Sequence, residues 1–113
     1  MGLAITDGTA SISTTEFYLA SNSTAKTDQT DDALLSVWIE VEAVAAADLF
    51  RIKFYEKVSA AGTQRSFEVG QITGAQVFPW VSPMFFVGHA WEISVTKISG
   101  TDRTVRWSLR KAT

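Results

Sequence analysis

The side chains that most often carry chemistry are few in this chain and do not form a recognisable motif. His89 is the only histidine and there is no cysteine, so a thiolate zinc site and a cysteine nucleophile are excluded. A catalytic triad around His89 would need a serine and a carboxylate that only the fold could bring together. We therefore expect His89, between Gly88 and Ala90 at a turn, to have a structural role.

Carboxylates offer two further possibilities. Asp28, Asp31 and Asp32 could supply oxygen ligands to calcium, but their spacing lacks the alternating carboxylates and central glycine of a calcium-binding loop. A solvated acidic turn is the simpler interpretation. A pair for glycoside hydrolysis could come from the strand-like segments, whose neighbouring opposite charges make ion pairing the simpler expectation. The candidates are Glu40, Glu42, Glu56, Glu68 and Glu92.

Aromatic residues could form a platform on which sugars stack. Trp38, Tyr55 and Trp80 are the candidates, and they keep a carbohydrate-binding module open as an alternative function. Trp91 and Trp107 instead follow the apolar side of their segments, and Trp38 is expected to lie over Lys53 as a cation-π pair.

Composition indicates one globular domain over residues 1–113. Apolar residues make up 46% of the chain and charged residues 19%, which is unlike a disordered segment. Apolar runs are too short to span a bilayer, and a net charge of -2 is unusual for a nucleic-acid-binding protein. We expect neither a membrane nor a nucleic-acid partner, and no export signal is recognisable at the N-terminus.

Two strand-like segments, 33–42 and 49–58, show the clearest pattern. Apolar and polar residues alternate with the two-residue period of a half-buried strand in both. Folded as a hairpin, they would place Glu40 opposite Arg51 and Trp38 opposite Lys53. Apolar partners would then share the other face.

Similar segments recur along the chain, and turn residues separate them. Segments 59–62 and 99–102 are rich in serine, glycine and alanine or aspartate, so each is expected to close a hairpin. The second hairpin would put Glu92 and Ser94 on the polar face beside Arg106. The sequence predicts an all-β, antiparallel β-sandwich of about 7–8 strands, of jelly-roll or immunoglobulin-like type, with residues 1–10 as a possible extended N-terminal arm.

Two segments break this pattern. Residues 21–32 contain no large apolar side chain, which predicts either a solvated surface loop or an arm that becomes ordered only against a partner. Residues 77–86 carry large apolar groups at successive positions and include Pro83, which confines them to a sheet edge or bulge. Either a loop of the same chain or a second subunit must cover their second face.

Several short motifs resemble small virion proteins of tailed bacteriophages. The resemblance covers about residues 15–111 and rests mostly on turn and strand-face residues. The motifs are Phe54-Tyr55-Glu56-Lys57, Gly62-Thr63-Gln64-Arg65, Val81-Ser82-Pro83, Gly88-His89-Ala90-Trp91, Gly100-Thr101-Asp102-Arg103 and Trp107-Ser108-Leu109-Arg110. The resemblance implies a shared fold and a virion role, without choosing between head and tail.

We therefore expect a non-enzymatic capsid decoration or cement protein, made in the host cytoplasm and located on the virion. Its partners would be the major capsid protein or other virion proteins, and it would form a homo-oligomer, with a trimer favoured. No cofactor is expected. A tail or head-fibre component is an alternative, and a sandwich-fold hydrolase is a more distant one.

Two groups of residues are the candidate contact sites for this role. The candidate subunit interface consists of Phe78, Trp80, Met84, Phe85 and Phe86. The candidate capsid-contact arm consists of Asn22, Thr24, Lys26, Asp28, Asp31 and Asp32.

Overall fold

A computed structural model describes residues 2–112, which form nine β-strands and no helix. The strands are β1 (Leu3–Ile12), β2 (Phe17–Tyr18), β3 (Ala33–Ile39), β4 (Leu49–Glu56), β5 (Arg65–Thr73), β6 (Trp80–Val81), β7 (Phe85–Val87), β8 (Glu92–Ser99) and β9 (Arg103–Ala112). Sheet A has the order β1-β9-β3-β6, with β7 also on β3, and sheet B has the order β2-β8-β4-β5. The two antiparallel sheets confirm the predicted all-β sandwich.

The pairing order identifies the sandwich as a jelly roll. The first strand pairs with the last, β2 with β8, β3 with β6 and β7, and β4 with β5. The chain is thus one long antiparallel hairpin, closed between β4 and β5, that rolls over into two sheets. If β6 and β7 are counted as one interrupted strand, there are eight strands, as a jelly roll requires.

The core lies between the inner faces of the two sheets, and the alternating pattern places these faces correctly. Val37 and Ile39 of β3 are fully buried, as are Ile52 of β4 and Ile93 of β8. Further inward residues in or next to β3, β4, β8 and β9 are also buried: Val41, Phe50, Phe54, Trp91, Val95, Val105, Trp107 and Leu109.

The predicted hairpin between segments 33–42 and 49–58 is wrong. β3 belongs to sheet A and β4 to sheet B, so residues 40–48 cross from one sheet to the other. Glu40 is 3.7 Å from Arg106 instead of facing Arg51, which pairs with Glu68 at 3.0 Å. Alternation determines which side of a strand is buried, but two buried sides can meet across the core as well as within one sheet.

The predicted hairpin at residues 99–102 is wrong for the same reason, whereas the one at 59–62 is confirmed. β8 lies in sheet B and β9 in sheet A, while β4 and β5 pair directly. Glu92 and Ser94, expected on a polar face beside Arg106, are completely buried.

Asp48 joins the two loops that cross between the sheets. Its carboxylate accepts hydrogen bonds from the backbone N–H of Ala45 at 2.8 Å and of Thr101 at 2.9 Å, and from Nε of Arg103 at 2.7 Å. Gly100, at φ +95°, lies so close that an added Cβ would be 2.6 Å from Cα of Asp48. Asp48 therefore fixes the first residues of β4 and β9 relative to each other.

The predicted N-terminal arm is a strand of the sheet. Residues Leu3 to Ile12 pair with β9 along the whole of β1, and Met1 lies outside the described residues. The polar segment 21–32 is ordered without a partner, because it is tied to the domain at both ends. Gln29 pairs with Trp91 through two backbone hydrogen bonds of 2.9 and 3.0 Å, so this segment is a surface loop and not a free arm.

Candidate interaction surface

The outer face of sheet A carries five of the ten exposed large apolar side chains of the described chain. We call Leu3, Ile5, Val81, Met84 and Phe86 the apolar surface; their exposed fractions are 84%, 66%, 42%, 62% and 82%. Leu3 and Ile5 come from β1, Val81 from β6 and Phe86 from β7, and Met84 precedes β7. Residues far apart in the sequence therefore form one exposed apolar region, which is typical of an interaction site.

Trp38 and Arg110 form a ridge in the middle of this face. The guanidinium carbon of Arg110 lies 3.9 Å from the ring centre of Trp38, a cation-π geometry. The predicted stacking of Trp38 on Lys53 is wrong, because β9 and not β4 is the neighbour of β3.

Shallow hollows lie on both sides of the ridge. One, of about 530 Å³, is mainly apolar and is lined by Leu3, Ile5, Val81 and Met84 beside the ridge. The second, of about 600 Å³, contains charged groups of both signs. They are Asp7, Glu40, Glu42, Arg106 and Arg110.

The predicted subunit interface is divided by the fold. Phe78, Met84 and Phe86 are exposed, but Phe85 and Trp80 point towards the core. The ring centre of Phe85 is 4.7 Å from that of Phe54, and the indole of Trp80 lies over Gly70, where an added Cβ would be 2.5 Å from it. The same chain therefore covers Phe85 and Trp80, while cover of Phe78, Met84 and Phe86 by a second subunit stays a prediction.

Leu3, Ile5 and Trp38 were not among the predicted interface residues. The alternation of Leu3, Ile5 and Asp7 with small residues indicates a strand, but nothing in it shows that this strand lies beside β9. The Arg106 and Arg110 side chains alternate with Trp107 and Leu109 along β9, so they could be predicted to face outwards.

The residues of the predicted capsid-contact arm lie in the ordered surface loop. Asp31 contacts Nζ of Lys111 at 2.7 Å, and Asp28 accepts a hydrogen bond of 2.9 Å from Gln64. Lys26 also contacts Gln64 and lies 4.8 Å from the ring centre of Tyr55. Asn22 occupies the left-handed region at φ 52°, which asparagine tolerates in tight turns; Asn22, Thr24 and Asp32 are exposed.

Glu92 is the carboxyl group that fixes the start of this loop. It accepts hydrogen bonds from the backbone N–H of Ala20, Ser21 and Ile93 at 2.8–3.0 Å and from the Ser21 hydroxyl at 2.6 Å. Burial raises the pKa of Glu92, and these donors partly oppose that effect. All four donors come from the chain itself, so the group has a structural role here.

Glu16 forms a second internally satisfied cluster on the outer face of sheet B. Burial would raise its pKa, but hydrogen bonds from Ser94, Tyr55 and Tyr18 outweigh it and the pKa of Glu16 is lowered. The ring centres of Tyr18 and Tyr55 are 5.9 Å apart. Burial and the adjacent carboxylate raise the pKa of Tyr55.

The three residues proposed as a sugar-stacking platform do not share a face. Trp38 is on the outer face of sheet A, because its neighbours Val37 and Ile39 are buried. Tyr55 follows the buried Phe54 and lies on the outer face of sheet B, while Trp80 packs on Gly70. They are therefore dispersed over the molecule.

His89 contributes its backbone to a turn. Its N–H donates to Glu56 and its carbonyl accepts from the N–H of Lys57. Within residues 2–112, no three histidine, aspartate or glutamate side chains are grouped as metal ligands, and no helix there could cross a bilayer.

Comparison with protein-family models, with curated proteins and with solved structures gives no match.

Proposed function

We propose that this protein is a structural component of a bacteriophage virion, a decoration or cement protein that binds the capsid shell through the outer face of sheet A. The observation that carries the proposal is the apolar surface. Its five side chains are exposed on one side of a rigid sandwich, whereas the carboxylate clusters of Glu16 and Glu92 are satisfied by the chain itself.

Energetics support a binding role for this surface. Burying one large apolar side chain contributes about 1.5–3 kcal/mol, and part of that gain is lost to the cost of association. A few such side chains can hold one contact, and repetition on a shell lattice multiplies the effect. The mixed charges beside Trp38 would surround that contact as a polar rim.

The resemblance to small virion proteins of tailed phages gives the partner class. Jelly rolls occur in viral capsid proteins as well as in lectins, so the fold is compatible with the proposal without selecting it. The dispersed positions of Trp38, Tyr55 and Trp80 make a stacking platform a weaker alternative.

The experiment is a binding assay on purified phage capsids that lack the protein. We expect the wild-type chain to sediment with these capsids and Phe86→Ser to lose most of this binding. Val58→Ser is the control, because Val58 is also exposed, at 97%, but lies in the turn after β4 of sheet B. Phe85 is unsuitable for this test, since its contact with Phe54 makes it part of the core.

Equal binding by the Phe86→Ser and Val58→Ser variants would contradict the assigned surface. A wild-type chain that ignores capsids and binds oligosaccharides would contradict the proposed function. Binding to purified tails alone would replace the capsid by the tail as the partner.

A further inference from the structure

β1 forms one edge of sheet A and has a side without a strand partner. Its ten residues pair with β9 from Leu3 with Ala112 to Ile12 with Arg103, with no shift in register. Within residues 2–112, β9 is the only strand that pairs with it. A long regular edge of this kind presents unpaired backbone N–H and C=O groups that can bind another strand.

The other sheet edges are protected against such pairing. β2 and β6 have two residues each and β7 has three, and Pro79 and Pro83 flank β6. β5 is long, but Val69 is an extra residue in its pairing with β4, and the ring of Trp80 packs on Gly70 beside it. Bulges, prolines and short length are the usual means of preventing edge association, and β1 has none of them.

The first half of β1 is exposed on both faces as well as along its edge. Leu3 and Ile5 are exposed on the outer face, and Ala4 and Thr6 are exposed on the other. Asp7 is the only charged residue in the strand. A second strand that paired with this edge would bury these exposed apolar residues.

We propose that β1 pairs in antiparallel orientation with β1 of a second copy, which joins the two A sheets into one continuous sheet across a two-fold axis. Among the strands of residues 2–112, only β1 combines the length, regularity and free edge that the pairing needs. When the pairing uses almost the whole of β1, the axis passes through Gly8, and Ile5 of one copy lies opposite Ser11 of the other.

The size of the contact is consistent with a dimer. Ten residues of antiparallel strand extend about 34 Å, and the shortest dimension of the domain is 21 Å. An edge contact thus covers on the order of 700 Å² per copy, near the roughly 800 Å² of a standard interface. The symmetry is two-fold, in place of the trimer expected from the sequence.

Light scattering on the full chain tests the dimer. We expect a mass twice the 12.4 kDa of the chain, and a fall to half of it for Ile5→Lys, which places a charge at the shared edge. Val58→Lys is the matched control, because Val58 is 97% exposed in the turn after β4, and it should remain dimeric. Circular dichroism checks that both variants fold.

Cysteine cross-linking tests the orientation, since the chain has no cysteine of its own. Under mild oxidation the double variant Ile5→Cys/Ser11→Cys should form intermolecular disulfides, because these two exposed positions lie opposite each other across the axis, and Val58→Cys should not. A monomeric or trimeric wild type, or a dimer unchanged by Ile5→Lys, would overturn the proposal. So would an Ile5→Cys/Ser11→Cys chain that forms no disulfide between copies. None of these outcomes bears on capsid binding, which is measured separately.

Discussion

Asp48 is a buried carboxylate that accepts hydrogen bonds from both of the loops that cross between the two sheets. Hydrogen bonds from Ala45, Arg103 and Thr101 lower its pKa from 3.8 to about 2. Because the folded-state pKa lies below the unfolded one, its contribution to stability is complete above about pH 4 and is lost as the pH falls through about 2.

Replacement of Asp48 should therefore lower stability at neutral pH and flatten the acid dependence. We expect Asp48→Asn to melt well below the wild type at pH 7, with a smaller difference at pH 2. The control is Asp102→Asn, whose ion pair with Lys97 is half exposed and should be worth roughly 0–1 kcal/mol. Thermal unfolding followed by circular dichroism between pH 2 and 7 measures both. Equal effects of the two changes would contradict the role given to Asp48.

His89 contributes through its backbone, so its imidazole should be dispensable. We expect His89→Gln to retain capsid binding and to change the melting temperature by little, since surface substitutions usually lie within about 0.5 kcal/mol. Sedimentation with capsids and thermal unfolding provide the two readings. Loss of binding by a folded His89→Gln protein would show that the side chain itself makes a contact.

The burial of Glu92 could not be predicted from its position in the strand pattern. Alternation correctly places it on the side of β8 opposite Ile93, which is an outer face. The cover comes from Ala20 and Ser21, which are 72 and 71 residues away in the sequence. A local pattern carries no information about such a distant segment.

At the scale of elements, the two loops that cross between the sheets depend on a close approach at Gly100. A Cβ there would lie 2.2 Å from Oδ1 of Asp48, and φ is +95°. Gly74 also has a positive φ, of 69°, but its nearest contact would be 3.9 Å, from Cα of Ala46. Comparing an alanine substitution at Gly100 with one at Gly74 therefore separates the cost of a left-handed conformation from the cost of a steric clash.

We expect Gly100→Ala to destabilise the protein by at least about 3 kcal/mol, because strain and overlap with backbone act together. Gly74→Ala should cost about 1–2 kcal/mol from conformation alone. Urea unfolding of both variants measures the difference. If Gly100→Ala were no worse than Gly74→Ala, Asp48 and Gly100 would not be packed as described.

The strand pairing shows what a sequence pattern can and cannot specify. Val37, Ile39, Ile52 and Ile93 all lie on the faces that alternation assigns to them. The predicted partners of their strands were wrong, because the two loops that cross between the sheets contain the small and turn-forming residues that are also typical of hairpin turns. Of the three predicted hairpins, only the one at residues 59–62 joins strands of one sheet. The pairing of β1 with β9 spans almost the whole chain.

At the scale of the whole molecule, the apolar surface and the polar loop at residues 21–32 are alternative sites for the shell contact. The apolar surface comes from strands of sheet A, while the loop presents Thr24, Lys26 and Asp28 on the side of sheet B. Apolar burial is nearly independent of ionic strength, whereas exposed charge contacts are screened by salt.

Salt dependence of capsid binding therefore distinguishes the two sites. We expect binding of the wild-type chain to persist from low salt to about 1 M, where the Debye length is about 3 Å. We expect Lys26→Ser to bind capsids as well as the wild type over that range, because the Lys26 side chain already contacts Gln64 and Tyr55 of its own chain. Binding that disappears at high salt, together with a defect in Lys26→Ser, would transfer the shell contact from sheet A to the loop.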